Sequence, residues 1–151
     1  MKPPDVLAPG QHIVLHNWPA REVPDSLVRA GLGVTVYGGP QPDEISIHEC
    51  AGDAIVSRKT GVPPTRADVV YVYPWPGFDV EHDLPRIAQA AQELHASTLW
   101  YQSGRDSEGR PSATGCWLTE PEVAQVEAAA KSAGLAVIHN VYIGAAAGQL
   151  G

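Results

Sequence analysis

Arg21 and Arg105 lie in stretches that read as loops, and a guanidinium fork in such a place can hold phosphate oxygens. Arg21 sits within "HIVLHNWPAREVPDSLVRAG" (12–31), which reads as a strand, a loop and a helix. A loop entering a first helix often holds phosphate on the free N–H groups of the helix, and such loops normally carry glycine. "HNWPAREVP" has none. Glu22 and Asp25 fall in or beside the first turn, where carboxylates satisfy the positive end of the helix and repel phosphate. Pro24 removes one N–H donor there. Arg21 offsets one of those two negative charges.

The other reactive side chains form no known catalytic pattern. The six histidines, His12, His16, His48, His82, His95 and His139, show no HxH, HExxH or His/Cys spacing, so no metal is expected. Ser103, Ser112 and Thr114 are hydroxyl nucleophiles by type, yet none sits in a GxSxG elbow. The acids of "DVEHD" (79–83) precede a helix, where they stabilise its N-terminus. A Walker A motif is absent. Cys50 and Cys116 are far apart and read as two reduced thiols.

Composition narrows the function classes. The chain has 151 residues, 44% of them hydrophobic, which suits one domain (1–151) with flexible ends at 1–10 and 144–151. Ten Lys and Arg against 17 Asp and Glu leave a net charge of −7, which argues against nucleic acid as a partner. No apolar run is long enough to span a bilayer, and "MKPPDVLAPGQ" has no signal-peptide core. No membrane partner and a cytoplasmic location are therefore expected.

The elements that must position these groups alternate. "HIVLH" (12–16), "GVTVYG" (33–38), "DVVYVY" (68–73), "STLWYQ" (97–102) and "LAVIHNVYI" (135–143) read as buried strands of a parallel sheet. Helices are expected at 23–31, at 83–94 with Asp83 as N-cap, and at 119–134 behind a Thr119/Glu122 capping box. The alternation implies an α/β, doubly wound sheet. A small hairpin inserted at 44–59 and a mobile polar loop within 103–116 interrupt it.

In such a sheet a ligand sits beyond the carboxyl ends of the strands, where strand order reverses. The loops there offer Asn17, Trp18, Pro19 and Arg21, then Gly38 and Gly39. Pro74, Trp75 and Pro76 follow strand three, with Phe78 close behind, and Gln102, Gly104 and Arg105 follow strand four. Glycine admits close backbone approach, and Trp18, Trp75 and Phe78 could wall an adenine-sized pocket.

Over residues 11–143 the chain resembles the small CoA-binding, Rossmann-type proteins related to the nucleotide-binding domain of the succinyl-CoA synthetase α subunit. "DVVYVYPWPGF" is similar to that family's third strand and exit loop. "LPRIAQAA" is similar to its "VPEIVEEA"-type helix start, "STLWYQSG" to its "xxxWxQxG" strand, and "AAAKSAGLAVIHNVYI" to its last helix and strand. The resemblance implies a three-layer αβα domain, a mostly parallel five-stranded sheet of order 3-2-1-4-5, and CoA or acyl-CoA across the carboxyl edge. It implies no catalysis, since the synthetase's phosphorylated histidine belongs to a domain with no counterpart here. Departures are the missing "GxS" turn near His16, Asn17 and Trp18, "YGGPQP" for Asn-Pro, "NVY" (140–142) for "DRC", and an extra loop within 105–118.

The leading expectation is non-catalytic binding of CoA, acyl-CoA or a related adenine nucleotide. The alternatives are a protein-interaction module on the same fold, with Trp18, Trp75 and Trp117 facing a partner, and an enzyme using His16 or His139 under the 105–118 loop. A homo-oligomer is left open.

Overall fold

The computed structural model describes residues 6–37, 45–60 and 62–149. Five strands run parallel: β1 (His12–His16), β2 (Gly33–Tyr37), and, after the hairpin described below, β5 (Val69–Val72), β6 (Thr98–Tyr101) and β7 (Ala136–Ile138). Every residue of β5 and β6 is buried. That is why these runs are apolar without alternation: helices cover both faces.

α1 (Glu22–Arg29) and α4 (Ile143–Gly148) pack over Ile13, Leu15, Val34, Val36 and Tyr71 on one face. α2 (Asp83–Glu93) and α3 (Glu120–Ser132) pack over Val14, Val70, Val72 and Leu99 on the other. Leu27 of α1 and Leu84 of α2 anchor the two layers and are wholly buried, each contributing roughly 2 kcal/mol by burial. The expected α/β class and layered arrangement are therefore present. α3 begins at the expected box: Glu122 N–H donates to Thr119 Oγ1 at 3.3 Å and Thr119 N–H to Glu122 Oε1 at 3.1 Å. α2 is capped differently. Its N-cap is His82, and Asp83 instead accepts the Asp79 N–H and pairs with Arg86.

The sheet has seven strands in the order β4-β3-β2-β1-β5-β6-β7. β3 (Ile45–Ala51) and β4 (Ala54–Thr60) form the expected hairpin, joined through Gly52, whose φ of +65° suits a tight turn. β3 pairs antiparallel with β2, so the hairpin extends the main sheet. This corrects the expected five-stranded order 3-2-1-4-5. Among the parallel strands the observed order is 2-1-3-4-5, because β3 occupies the outer side of β2 and β5 pairs with the other side of β1.

Three segments expected to be loose or extended are built in. β7 ends at Ile138, and Ile143 opens α4, whose Ile143, Ala146 and Ala147 are buried against α1. The tail expected to fray is thus largely a helix, and Trp100 Nε1 anchors its approach by donating to Val141 O at 2.8 Å. Leu7, in the other expected flexible end, belongs to the core. The 103–116 loop is tied down by backbone bonds from Ser112 to Gly104 O, Gly104 to Gly115 O and Trp117 to Arg105 O.

Candidate functional site

The observed strand order reverses between β1 and β5, so the crevice for a ligand opens above their carboxyl ends. Asn17 follows β1 there with φ +70°. Asparagine tolerates this left-handed conformation, so it supplies the turn that a glycine normally makes. Its N–H donates to Tyr37 O at 2.9 Å and its side-chain amide reaches Tyr73 O at 3.4 Å, across the reversal point.

The three aromatics expected to wall one pocket are divided between the faces. Trp18 lies on the α1 side, edge-on to His48 of β3 with ring centres 5.3 Å apart. Trp75 lies on the α2/α3 side, edge-on to Phe78 at 4.7 Å, and Phe78 continues to Tyr101. Pro74 is half-buried and Pro76 exposed beside Trp75, while Pro19 is half-buried beside Trp18. Gly38 and Gly39 lie outside the described residues.

The two arginines are also divided. Arg21 Nε stands 3.5 Å from Asp25 Oδ1, and its Nη2 donates to Ile55 O of the hairpin at 3.2 Å. Its side chain is 53% exposed, and an exposed i,i+4 pair contributes only about 0.3–0.5 kcal/mol. Arg105 is held more firmly. Its Nη2 bonds Glu122 Oε2, and its guanidinium lies 5.5 Å from the Trp117 ring centre. Burial opposes ionisation of Glu122, but the Thr119 backbone and hydroxyl donors and Arg105 outweigh it, so its carboxyl lies below the usual range.

Gln102 is 0% exposed. Its Oε1 accepts from the Tyr71 hydroxyl and its Nε2 donates to Ala113 O at 2.8 Å, which fastens the following loop to the sheet. Gly104 is equally structural: at φ +74° it lies under the Tyr73 ring, where a Cβ would stand 2.6 Å from Cε2. The residues after β6 thus support the crevice's wall from behind.

His16 ends β1 stacked on Tyr37, with centroids 5.0 Å apart, and burial pushes its imidazole down to about 4. His139 lies beyond β7, with Nε2 3.5 Å from Glu127 of α3. β5 and β6 intervene between their strands, a separation of three strand spacings or roughly 14 Å. The two histidines do not converge. Burial pushes the Cys116 thiol up to about 11, which leaves little thiolate at neutral pH.

His48 could not be recognised from sequence. It lies in a strand whose tip is exposed, yet it is only 2% exposed itself, and neither ring nitrogen has a hydrogen-bond partner among the described residues. Burial and then Arg21 lower its pKa, against Asp25. Clefts of about 460 and 400 Å³ lie around His12, and one of about 380 Å³ between α2 and α3.

No protein family, curated protein or solved structure matched the chain in the comparisons made. Among the described residues no helix is long and apolar enough to cross a membrane, and no group of three or more His, Cys, Asp or Glu is placed to hold a metal ion.

Proposed function

We propose that this chain binds CoA, acyl-CoA or a related adenine nucleotide, without catalysis, across the carboxyl ends of β1 and β5. The observation that carries the reading is the left-handed Asn17 at the reversal point of a doubly wound sheet. Arg21 is the phosphate partner, since its present contacts are weak and its side chain is half in water. The Trp75–Phe78 corner takes the adenine. Trp18 and Pro19 shape the α1 side of the entry.

The charge balance limits the affinity. Glu22 and Asp25 occupy the first turn of α1 against the single Arg21. Binding is therefore weak, with Kd on the order of 100 μM. The ligand is a small molecule; a net charge of −7 gives nucleic acid no basic surface. Two free cysteines fit a reducing, cytoplasmic compartment.

At that Kd, about 1 mM CoA stabilises the fold by about 1.4 kcal/mol, a rise in Tm of roughly 3–5 °C. Arg21→Gln is expected to remove most of this shift while barely changing the Tm of the free protein. No shift and no calorimetric heat with CoA at that concentration would refute the reading.

A further inference from the structure

Two clefts meet at His12 and Arg66, at the end of β1 opposite the crevice. One, of about 460 Å³, is lined by Pro9, Gly10, Gln11, His12, Arg66 and Asp68. The other, of about 400 Å³, lies beyond the same His12 and Arg66 and is walled by Ile47, Val62, Pro63 and Pro64. Val62 is 72% exposed, the most exposed large hydrophobic side chain among the described residues.

The charges in this place are opposite and separate. Arg66 and Asp68 flank the buried Ala67, and both line the first cleft. Asp68 Oδ2 accepts the His12 backbone N–H at 2.8 Å. Its other oxygen and the whole Arg66 guanidinium have no hydrogen-bond or ion-pair partner among the described residues. The His12 ring, whose residue lines both clefts, is fixed by a 2.8 Å contact of Nε2 with the buried Thr35 Oγ1. Burial lowers the His12 pKa despite Asp68, so the ring stays neutral at pH 7 and adds no third charge.

A simple anion meets the repulsion of Asp68 here, and a simple cation that of Arg66. A molecule carrying both charges on neighbouring atoms meets neither. We propose that the paired cleft binds a zwitterion with an apolar tail, the chemistry of an α-amino acid with a branched aliphatic side chain. Arg66 takes the carboxylate, Asp68 the ammonium, and Ile47, Val62, Pro63 and Pro64 the side chain. This site is independent of the carboxyl-edge reading.

The test is an amide NMR titration of the whole chain with L-leucine, 4-methylpentanoate and 3-methylbutylamine. The last two each lack one of the charges. Leucine is expected to move the His12, Arg66 and Asp68 amides with a Kd of about 1 mM. Each single-charge analogue is expected to bind at least about tenfold more weakly. Arg66→Gln and Asp68→Asn are each expected to weaken leucine about tenfold. Asn at 68 keeps an acceptor for the His12 N–H, so the free protein's spectrum elsewhere should be unchanged. No movement with leucine at about 20 mM, well above that Kd, would overturn the proposal. Equal binding of 4-methylpentanoate, or an Arg66→Gln titration identical to wild type, would overturn it as well.

Discussion

Tyr73 and Gly104 fit together so closely that any side chain at position 104 would have to displace the ring: a Cβ there would stand 2.6 Å from Tyr73 Cε2 and 2.7 Å from its hydroxyl. The contact joins the exit of β5 to the exit of β6.

Gly104→Ala is therefore expected to destabilise the fold by about 2–3 kcal/mol, from the left-handed backbone and the clash together. Adding Tyr73→Ala should relieve the clash and leave the backbone strain, so the double variant recovers part of the loss relative to Tyr73→Ala alone. Urea unfolding of the four proteins measures the coupling. Strict additivity would show that the ring does not restrict position 104.

Gln102 joins the hydroxyl of the buried Tyr71 to the carbonyl of Ala113, an exposed residue of the following loop. Gln102→Leu keeps the volume and leaves the buried Tyr71 hydroxyl unpaired, an expected cost of about 1–3 kcal/mol. Tyr71→Phe removes one partner and should cost less. Hydrogen exchange at Gly104, Gly115 and Trp117 should speed up in Gln102→Leu, since their bonds hold the loop that Ala113 belongs to.

Acid should destabilise the protein through its histidines, beginning well above the range in which carboxylates titrate. His12, His16 and His48 all have lowered pKa values in the folded chain, chiefly from burial. The unfolded chain takes protons near 6.5 that the folded chain refuses, so stability is complete above about pH 7 and falls as pH drops. For His16 the loss continues to about pH 4 and amounts to the order of 2–3 kcal/mol. His16→Phe keeps a ring over Tyr37 without the titration. Its urea midpoint should depend less on pH between 7 and 4 than that of wild type, and an unchanged slope would assign the effect elsewhere.

Thr119→Ala removes the hydroxyl that opens α3 and is expected to cost about 1 kcal/mol. It also frees Glu122 from the capping box, and Glu122 holds Arg105. The variant should therefore raise exchange at the Arg105 and Trp117 amides as well as in the first turn of α3. Exchange confined to the helix would separate the cap from the loop.

The local elements were legible in the sequence, and their arrangement was not. Buried strands announce themselves by runs such as "DVVYVY", and the Thr119/Glu122 box marks a helix start by type and spacing. The strand order was not accessible, because "DVVYVY" would suit the outer side of β2 as well as the free side of β1. α4 was hidden because "VYIG" continues an apolar run that reads as strand. At the crevice, Asn17 was identified by position, but its left-handed backbone was not. The engagement of Arg105 depends on a residue 17 positions away that only the fold brings near. The cleft at Arg66 and Asp68 carried a sequence signal, opposite charges two residues apart just ahead of a strand, that no familiar motif describes.

The β3–β4 hairpin, finally, occupies the one edge of β2 that β5 could otherwise have taken. A chain without residues 45–60 would offer β5 two vacant parallel edges, one on β1 and one on β2, and little in β5 itself to choose between them. Seated on β2, the hairpin takes up the outer edge of that strand and leaves β5 the free side of β1. Its contribution is to uniqueness more than to stability: shortening it should yield a mixture of folded forms before it yields an unfolded one.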